Sequence, residues 1–132
     1  LVYTGQELPN HKRLEFFEKD AVVWNQNYQL ADFYKTLNEL KAATPALRGG
    51  DASVSTKFLS TTADDKVLAY VRTKEESQVL VVLNMSKAPV QFKINDSGLS
   101  STMREAFTGE KRTFAAGTDF TLDTGGYAVF VK

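Results

Sequence analysis

The sequence predicts a mainly β protein, an antiparallel β-sandwich that follows a shorter strand–loop–helix segment. From about residue 51 onward, short apolar runs recur with turn signals between them, a pattern typical of sandwiches and barrels. Before that point, apolar residues repeat every three or four positions, which is the spacing of an amphipathic helix. The Gly49-Gly50 pair separates the two patterns. We therefore divide the chain into residues 1–50 and residues 51–132.

The first segment opens with the strand-like run LVYT at residues 1–4 and continues as an irregular, charged stretch to about Asn27. A chain that opens in a strand without methionine is expected to be a processed or fragmentary piece. Asn27 is the expected N-cap of the helix, because its side chain can accept from a free amide of the first turn. Pro45 ends the helix near Thr44, because a residue before proline avoids the helical conformation. The apolar stripe of the helix comprises Leu30, Phe33, Tyr34, Leu37 and Leu40.

The second segment carries eight predicted strands. In one of them, Val90, Phe92 and Ile94 alternate with polar residues, which predicts a strand buried on one face. In another, residues 79–83 are continuously apolar, which predicts a central strand that is covered on both faces or borders the first segment. The predicted strands are residues 56–62, 66–73, 77–85, 90–95, 102–107, 111–114, 120–122 and 127–131.

Composition narrows the classes of function. The chain has sixteen basic and sixteen acidic residues and no net charge, so it has no field to attract nucleic acid. It has no cysteine, which excludes disulfides and cysteine-ligated zinc, and its one histidine, His11, cannot form a multi-histidine metal site. No apolar run approaches the ~20 residues that span a membrane. We expect neither nucleic-acid binding nor membrane insertion.

Several motifs occur in a characteristic order. YTGQE at residues 3–7 is followed by KRLEFFEKD at residues 12–20, by FYKTL at residues 33–37 and by PALRG at residues 45–49. In that order they resemble the last barrel strand, the following loop and the last helix of the α-amylase family, glycoside hydrolase family 13. The β segment, with Asn84 after an apolar strand and FTGE at residues 107–110, is similar to the carboxyl-terminal sandwich of that family.

The resemblance implies a strand–loop–helix remnant of a (β/α)8 barrel followed by an antiparallel Greek-key β-sandwich. In the family the reaction is retaining hydrolysis of α-1,4-glucosidic bonds, with two carboxyl groups about 5–5.5 Å apart. Those carboxylates lie on earlier barrel strands, and their motifs are absent from this sequence. We therefore expect a carboxyl-terminal region that caps and stabilises its barrel and is not catalytic alone. Its expected partners are the rest of the parent barrel and, through the parent, α-glucan.

The resemblance also implies no redox or organic cofactor, and an extracellular or periplasmic location, because polymeric starch is met outside the cell. Calcium is common in the family, but the charged loop at residues 12–20 lacks the regularly spaced oxygen ligands of a calcium loop. Its alternating charges instead predict structural ion pairs that flank two buried phenylalanines, Phe16 and Phe17.

Three residues are candidates for the active-site rim or its supporting shell, because the carboxyl ends of barrel strands face the active site. Gln6 and Glu7 follow the predicted strand, and His11 lies in the loop. The favoured interpretation is structural for each: Gln6 lies behind the sugar contacts, Glu7 bonds loop backbone or Arg13, and His11 is solvated. The alternatives are direct sugar contacts for Gln6 and Glu7 and acid–base chemistry for His11.

A different class of function is a non-catalytic carbohydrate-binding or interaction module. Trp24, Tyr70 and Tyr127 are the aromatic residues on which the apolar face of a sugar could stack. A platform requires the rings to be coplanar and exposed. Because Tyr70 and Tyr127 fall in predicted strands, where core and cross-strand packing are common, packing is the favoured interpretation.

Overall fold

The computed structural model describes residues 2–96 and 101–132. The chain folds into two compact units, Leu1–Leu40 and Lys41–Lys132. This division falls inside the helix rather than at Gly49-Gly50, and the domain boundary after residue 50 stays a prediction. No helix in the described ranges is long and apolar enough to cross a membrane.

The first unit is irregular up to its helix. The backbone N–H of Gln6 donates to the carbonyl of Tyr3 at 3.2 Å, and the N–H of Leu8 donates to the carbonyl of Gly5 at 3.1 Å, so the chain turns at once. The strand expected at residues 1–4 is therefore not formed in the described residues 2–4. A strand needs a neighbour for its backbone hydrogen bonds, and this unit contains no other strand among its described residues.

The helix α1 spans Ala31–Ala43 and ends where Pro45 predicts. Its N-cap was expected at Asn27, which is wrong. The backbone N–H of Asn27 is bonded to the side-chain oxygen of Asn25 at 3.0 Å, and the N–H of Ala31 donates to the carbonyl of Tyr28 at 3.0 Å. Local turns thus occupy residues 25–30, because Asn side chains compete for backbone donors. A 3-10 turn at Pro45–Leu47 follows α1.

All eight predicted strands are formed in the second unit, and their ends differ from the predicted ones by at most three residues. The hairpins are antiparallel, as the short turns between consecutive apolar runs predict. The strands are β1 (Ser55–Leu59), β2 (Val67–Lys74), β3 (Ser77–Asn84), β4 (Val90–Lys93), β5 (Ser101–Glu105), β6 (Lys111–Phe114), β7 (Asp119–Leu122) and β8 (Tyr127–Val131).

The strands form two antiparallel sheets of unequal size. The larger sheet has six strands in the order β1-β2-β3-β8-β5-β6, and the smaller one pairs β4 with β7. The chain leaves the larger sheet to form β4, returns for β5 and β6, leaves again for β7 and returns for β8. In the larger sheet β8 lies between β3 and β5, which is a non-sequential order of the Greek-key kind. The predicted mainly β fold with antiparallel sheets is confirmed.

The core lies between the two sheets, on what we call the inner face of the larger sheet. Strand alternation places every second residue of each strand on this face. Phe120 on β7 stacks on Phe92 and on Phe114 with centroids 5.3 and 5.8 Å apart, and it meets Phe130 edge to face. The remaining core residues are Leu59, Val67, Ala69, Leu80, Val82, Val90, Ile94, Met103 and Leu122.

The opposite, outer face of the larger sheet is also apolar along β3. Val79 and Val81 point away from the core, yet both are buried. The 3-10 turn contacts β2 and β3, and its Ala46 is completely buried, with its N–H 3.4 Å from the Ser77 hydroxyl. The prediction that residues 79–83 form a central strand covered on both faces is thereby confirmed for β3.

Candidate functional site

Gln6 stabilises a turn. Its side-chain oxygen accepts a hydrogen bond from the backbone N–H of Tyr3 at 2.6 Å, while its own N–H donates to the Tyr3 carbonyl. Gly5, inside this turn, has a φ of +82°, and a Cβ there would lie 2.9 Å from a methyl group of Val22. Only glycine fits that conformation and that space. The side chain of Gln6 therefore orders a tight loop, and its place behind the sugar contacts stays a prediction.

Glu7 ties the loop to the start of the helix. Its carbonyl accepts from the N–H of Leu30 at 3.1 Å, so the backbone of Glu7 makes the loop contact that its carboxylate was expected to make. No ion pair between Glu7 and Arg13 is present in the part of the chain that the structure describes. The half-buried side chain lines a shallow hollow with Val2, Ala31, Tyr34, Lys35, Asn38 and Glu39.

His11 is exposed in the loop, as predicted, and shares a second hollow with Gln6. This hollow has a volume of about 460 Å³. Its walls combine two phenols, from Tyr3 and Tyr34, with the amide of Asn10 and the apolar side chains of Leu8, Leu14 and Leu30. The structure thus brings Gln6 and His11 to one surface and places Glu7 on another.

The charged loop is closed at its base by an ion pair. The Nζ of Lys12 lies 2.6 Å from Oδ1 of Asp20, and Oδ2 of Asp20 accepts from the N–H of Glu15 at 3.0 Å. The Lys12 ammonium and this amide hold the pKa of the Asp20 carboxyl below its usual range. One ion pair is thus formed in this loop, with Lys12 as the cation, whereas the other charges expected to pair, Arg13, Glu15, Glu18 and Lys19, form no ion pair among the described residues. No cluster of three metal-ligating His, Cys, Asp or Glu residues occurs in residues 2–96 and 101–132.

The two phenylalanines between these charges are not buried, which corrects the sequence-based expectation. Phe16 is 88% exposed and Phe17 is 90% exposed, and their rings pack edge to face with centroids 4.6 Å apart. The loop is short and irregular, so it has no apolar surface of its own to cover them. Other large apolar side chains of the first unit are exposed as well, namely Tyr3, Leu14, Val23 and Trp24.

The two tyrosines that were candidates for a sugar-binding platform, Tyr70 and Tyr127, each pack against a phenylalanine. Tyr70 meets Phe58 at 6.1 Å and 60°, and Tyr127 meets Phe107 at 5.2 Å and 66°. These edge-to-face pairs are not flat platforms. Tyr70 is half-buried, as its place in β2 predicts, while the most exposed ring of the pair is Phe58 at 70%.

A polar hollow on the inner face is the feature that sequence reasoning missed. It lies at the end of the inner face next to the turn between β2 and β3, where Ser55 is exposed and Thr73 and Gln78 are half-buried. There, Ser55, Thr73 and Gln78 are direct cross-strand partners on β1, β2 and β3. Their side chains line a hollow with Lys57, Leu59, Val71 and Asp96. The pairing register of three strands brings these residues together, and no local sequence motif predicts the hollow.

Comparison with known families decides what the second unit is. The sequence profile of the maltogenic amylase C-terminal domain matches residues 56–131, which is more than half of the chain. The chain belongs to this family. The match starts within β1 and ends with β8, so the maltogenic amylase C-terminal domain corresponds to the two-sheet unit. The resemblance to the carboxyl-terminal part of the α-amylase family is thereby confirmed.

Relatives of this C-terminal domain are much longer proteins. An α-1,4-glucan:maltose-1-phosphate maltosyltransferase from Picrophilus torridus is 33% identical over 99 residues, which cover 68% of this chain and 15% of that protein. The fold is shared with a maltogenic α-amylase, AmyB, from Thermotoga neapolitana (TM-score 0.77, 14% identity, 99% of this chain and 32% of that one). It is also shared with an Anoxybacillus α-amylase (TM-score 0.65, 23% identity, 83% of this chain and 24% of that one). The chain thus spans less than a third of each.

Proposed function

We propose that this chain closes and stabilises the catalytic barrel of a retaining α-glucan hydrolase and performs no catalysis by itself. Residues 1–50 complete the barrel, and the two-sheet unit packs on its flank. Support comes from the family of the second unit and from the names of its relatives, which act on α-glucans or maltose derivatives. We propose an extracellular or periplasmic location for the parent. We assign no cofactor to this chain, and any calcium of the parent would be held by residues elsewhere in the parent.

The observation that carries this proposal is the apolar surface of the first unit. Phe16 and Phe17 are almost fully exposed, and Val23 and Trp24 are 74% and 53% exposed. Proteins rarely leave such a surface open to water. The helix α1 supports the same proposal, because it carries an apolar stripe although none of its residues is fully buried. A barrel wall packed against this surface would bury both the exposed aromatic side chains and the apolar stripe of α1.

In this role Gln6, Glu7 and His11 have structural rather than catalytic functions. The Gln6 side chain and Gly5 fix the turn that leads into the loop, and the Glu7 carbonyl anchors that loop to Leu30. In the parent the hollow shared by Gln6 and His11 would lie on the rim of the barrel. The nucleophile and the acid/base, about 5–5.5 Å apart in a retaining enzyme, come from the rest of the barrel.

The decisive observation is the coding sequence upstream of Leu1. We expect it to encode about three hundred residues of a (β/α)8 barrel with spaced acidic motifs. An upstream sequence without a barrel would refute the proposal.

A substitution experiment tests the same idea physically. The double substitution Phe16→Ser and Phe17→Ser should change the free energy of unfolding of the isolated chain by no more than about 0.5 kcal/mol, because both rings are exposed there. In the parent the same pair should cost at least about 2 kcal/mol, because both rings would be buried. Met85→Ser, which removes an exposed apolar side chain from the second unit, is the control. Equal effects of the pair in both proteins would contradict the proposal.

A further inference from the structure

The polar hollow on the inner face is unusual for its position. On the inner face, alternation continues the rows Leu59–Ala69–Val82 and Lys57–Val71–Leu80 into a third row, Ser55–Thr73–Gln78. Inner-face positions of a sandwich are normally apolar. Here the third row consists of two hydroxyls and an amide, next to the turn between β2 and β3, and these side chains line an open hollow.

The side chains of this row have hydrogen-bond donors and acceptors that the fold does not use. Thr73 and Gln78 are half-buried, and neither side chain makes a hydrogen bond within the described residues. The hydroxyl of Ser55 reaches only the Thr73 carbonyl, at a long 3.5 Å. Half-buried polar groups are normally paired with protein or water. Groups that face a hollow and are not used by the fold are available to a ligand.

The wall beside this row is an ion pair. The Nζ of Lys57 lies 2.5 Å from Oδ2 of Asp96, so the hollow presents a donor and an acceptor with no net charge. A charged ligand would have to compete with this pairing, whereas a neutral one need not. Hydroxyl groups both donate and accept, and Ser55, Thr73 and Gln78 do the same. The lining therefore matches a neutral polyol.

The floor and the size of the hollow fit the same class of ligand. Leu59 and Val71 provide an apolar floor against which the C–H face of a pyranose ring can lie. The volume is about 250 Å³, close to the lower end of the usual range of small-molecule sites, about 300 Å³. That space admits one sugar ring, with the neighbouring units of the polymer outside the hollow.

We propose that this hollow, lined by Ser55, Lys57, Thr73, Gln78 and Asp96 over Leu59 and Val71, binds a glucosyl unit of an α-glucan outside the catalytic barrel. The match to a neutral polyol stands on the lining alone, and the choice of α-glucan rests on the proposed function. Bound there, a polymer chain is retained by the protein while another part of it reaches the catalytic site.

The test is a titration of this chain with maltoheptaose, followed by NMR. We expect the side-chain amide signals of Gln78 and the methyl signals of Val71 to shift, with a dissociation constant of about 1 mM or lower. The double variant Thr73→Val and Gln78→Ala should bind at least about tenfold more weakly. The matched control is Thr121→Val with Gln91→Ala, because these two exposed residues are also direct cross-strand partners, on β7 and β4.

Several results would overturn the proposal. One is the absence of shifts at Gln78 and Val71 in about 10 mM maltoheptaose. Another is an equal loss of binding in the control variant, and a third is a set of shifts centred on Phe58 and Tyr70 instead. Equal binding of cellohexaose would remove the α-glucan assignment. Should the double variant not fold, Gln78→Ala alone supplies the comparison. An upstream sequence without a barrel refutes the proposed function without changing any of these outcomes.

Discussion

The side-chain amide of Asn84 donates a hydrogen bond to the backbone carbonyl of Asp123 at 2.7 Å and so joins the end of β3 to the turn before β8. The same amide donates to the carbonyl of Ala88 at 2.8 Å, and its oxygen accepts from the N–H and hydroxyl of Ser86 at 2.9 and 2.7 Å. Asn84 is buried, so its polar atoms depend on these partners. One side chain thereby organises two turns of the sandwich.

Asn84→Ala should lower the free energy of unfolding of the chain by about 2–4 kcal/mol, because it leaves the partly buried carbonyls of Ala88 and Asp123 without donors and creates a small cavity. Urea unfolding followed by circular dichroism measures the change. Asn95→Ala, which truncates an exposed asparagine beyond β4, is the control and should stay within about 0.5 kcal/mol of the wild type. Similar losses in both variants would show that Asn84 has no special role.

Arg112 links the two sheets. Its guanidinium lies 4.4 Å from the ring centroid of Phe120 on β7 and 5.4 Å from that of Phe114 on β6, and it donates to the carbonyl of Asp119. Burial lowers the pKa of this guanidinium. The planar cation thus lies against the aromatic edge of the core.

We expect Arg112→Lys to cost about 1 kcal/mol although it keeps the charge, because an ammonium cannot stack on the rings and donate in the same geometry. Thermal unfolding measures the loss. Arg104→Lys, at an exposed position of β5, is the matched control. If the two substitutions have the same effect, stacking contributes nothing.

Asp51 makes stability depend on pH. Its carboxylate accepts from the ammonium of Lys74, and also from the hydroxyl and the N–H of Ser53 at 2.6 and 3.0 Å. The Lys74 bond first, and then the two Ser53 bonds, hold the pKa of the Asp51 carboxyl well below its usual range. A carboxyl with a depressed pKa stabilises the folded state above its unfolded pKa of about 3.9 and loses that contribution as the pH falls below it.

The wild type should therefore be more stable than Asp51→Asn at pH 7, and the difference should shrink as the pH is lowered below about 4. Urea midpoints measured from pH 7 to pH 3 test this. Asp65→Asn, in the exposed turn before β2, is the control. A difference between wild type and Asp51→Asn that is independent of pH would contradict the argument.

Elements with a strong period were predictable, because the period follows from burial. The alternation of Val90 and Phe92 predicted a half-buried β4, and both side chains are in the core. The continuous apolar run of β3 predicted cover on both faces, and the inner core and Ala46 provide it. Both conclusions needed only the alternation of side chains along a strand.

Features that depend on distant partners were not predictable. The helix begins at Ala31 rather than directly after Asn27, because local turns occupy residues 25–30, with the Asn27 N–H bonded to the Asn25 side chain and the Ala31 N–H bonded to the Tyr28 carbonyl. Phe16 and Phe17 look like core residues, but their cover is not in the first unit. The row of Ser55, Thr73 and Gln78 exists only after three strands have paired in one register.

Ala46 offers a last test, of how tightly the outer face of β3 is covered. It is completely buried in the 3-10 turn that contacts β2 and β3. Ala46→Leu should lower the free energy of unfolding by about 1–3 kcal/mol, because a larger side chain must displace the turn from the sheet. Ala115→Leu, at an exposed position after β6, is the control. If Ala46→Leu is neutral in urea unfolding, the turn lies loosely on the sheet and Val79 does not owe its burial to Ala46.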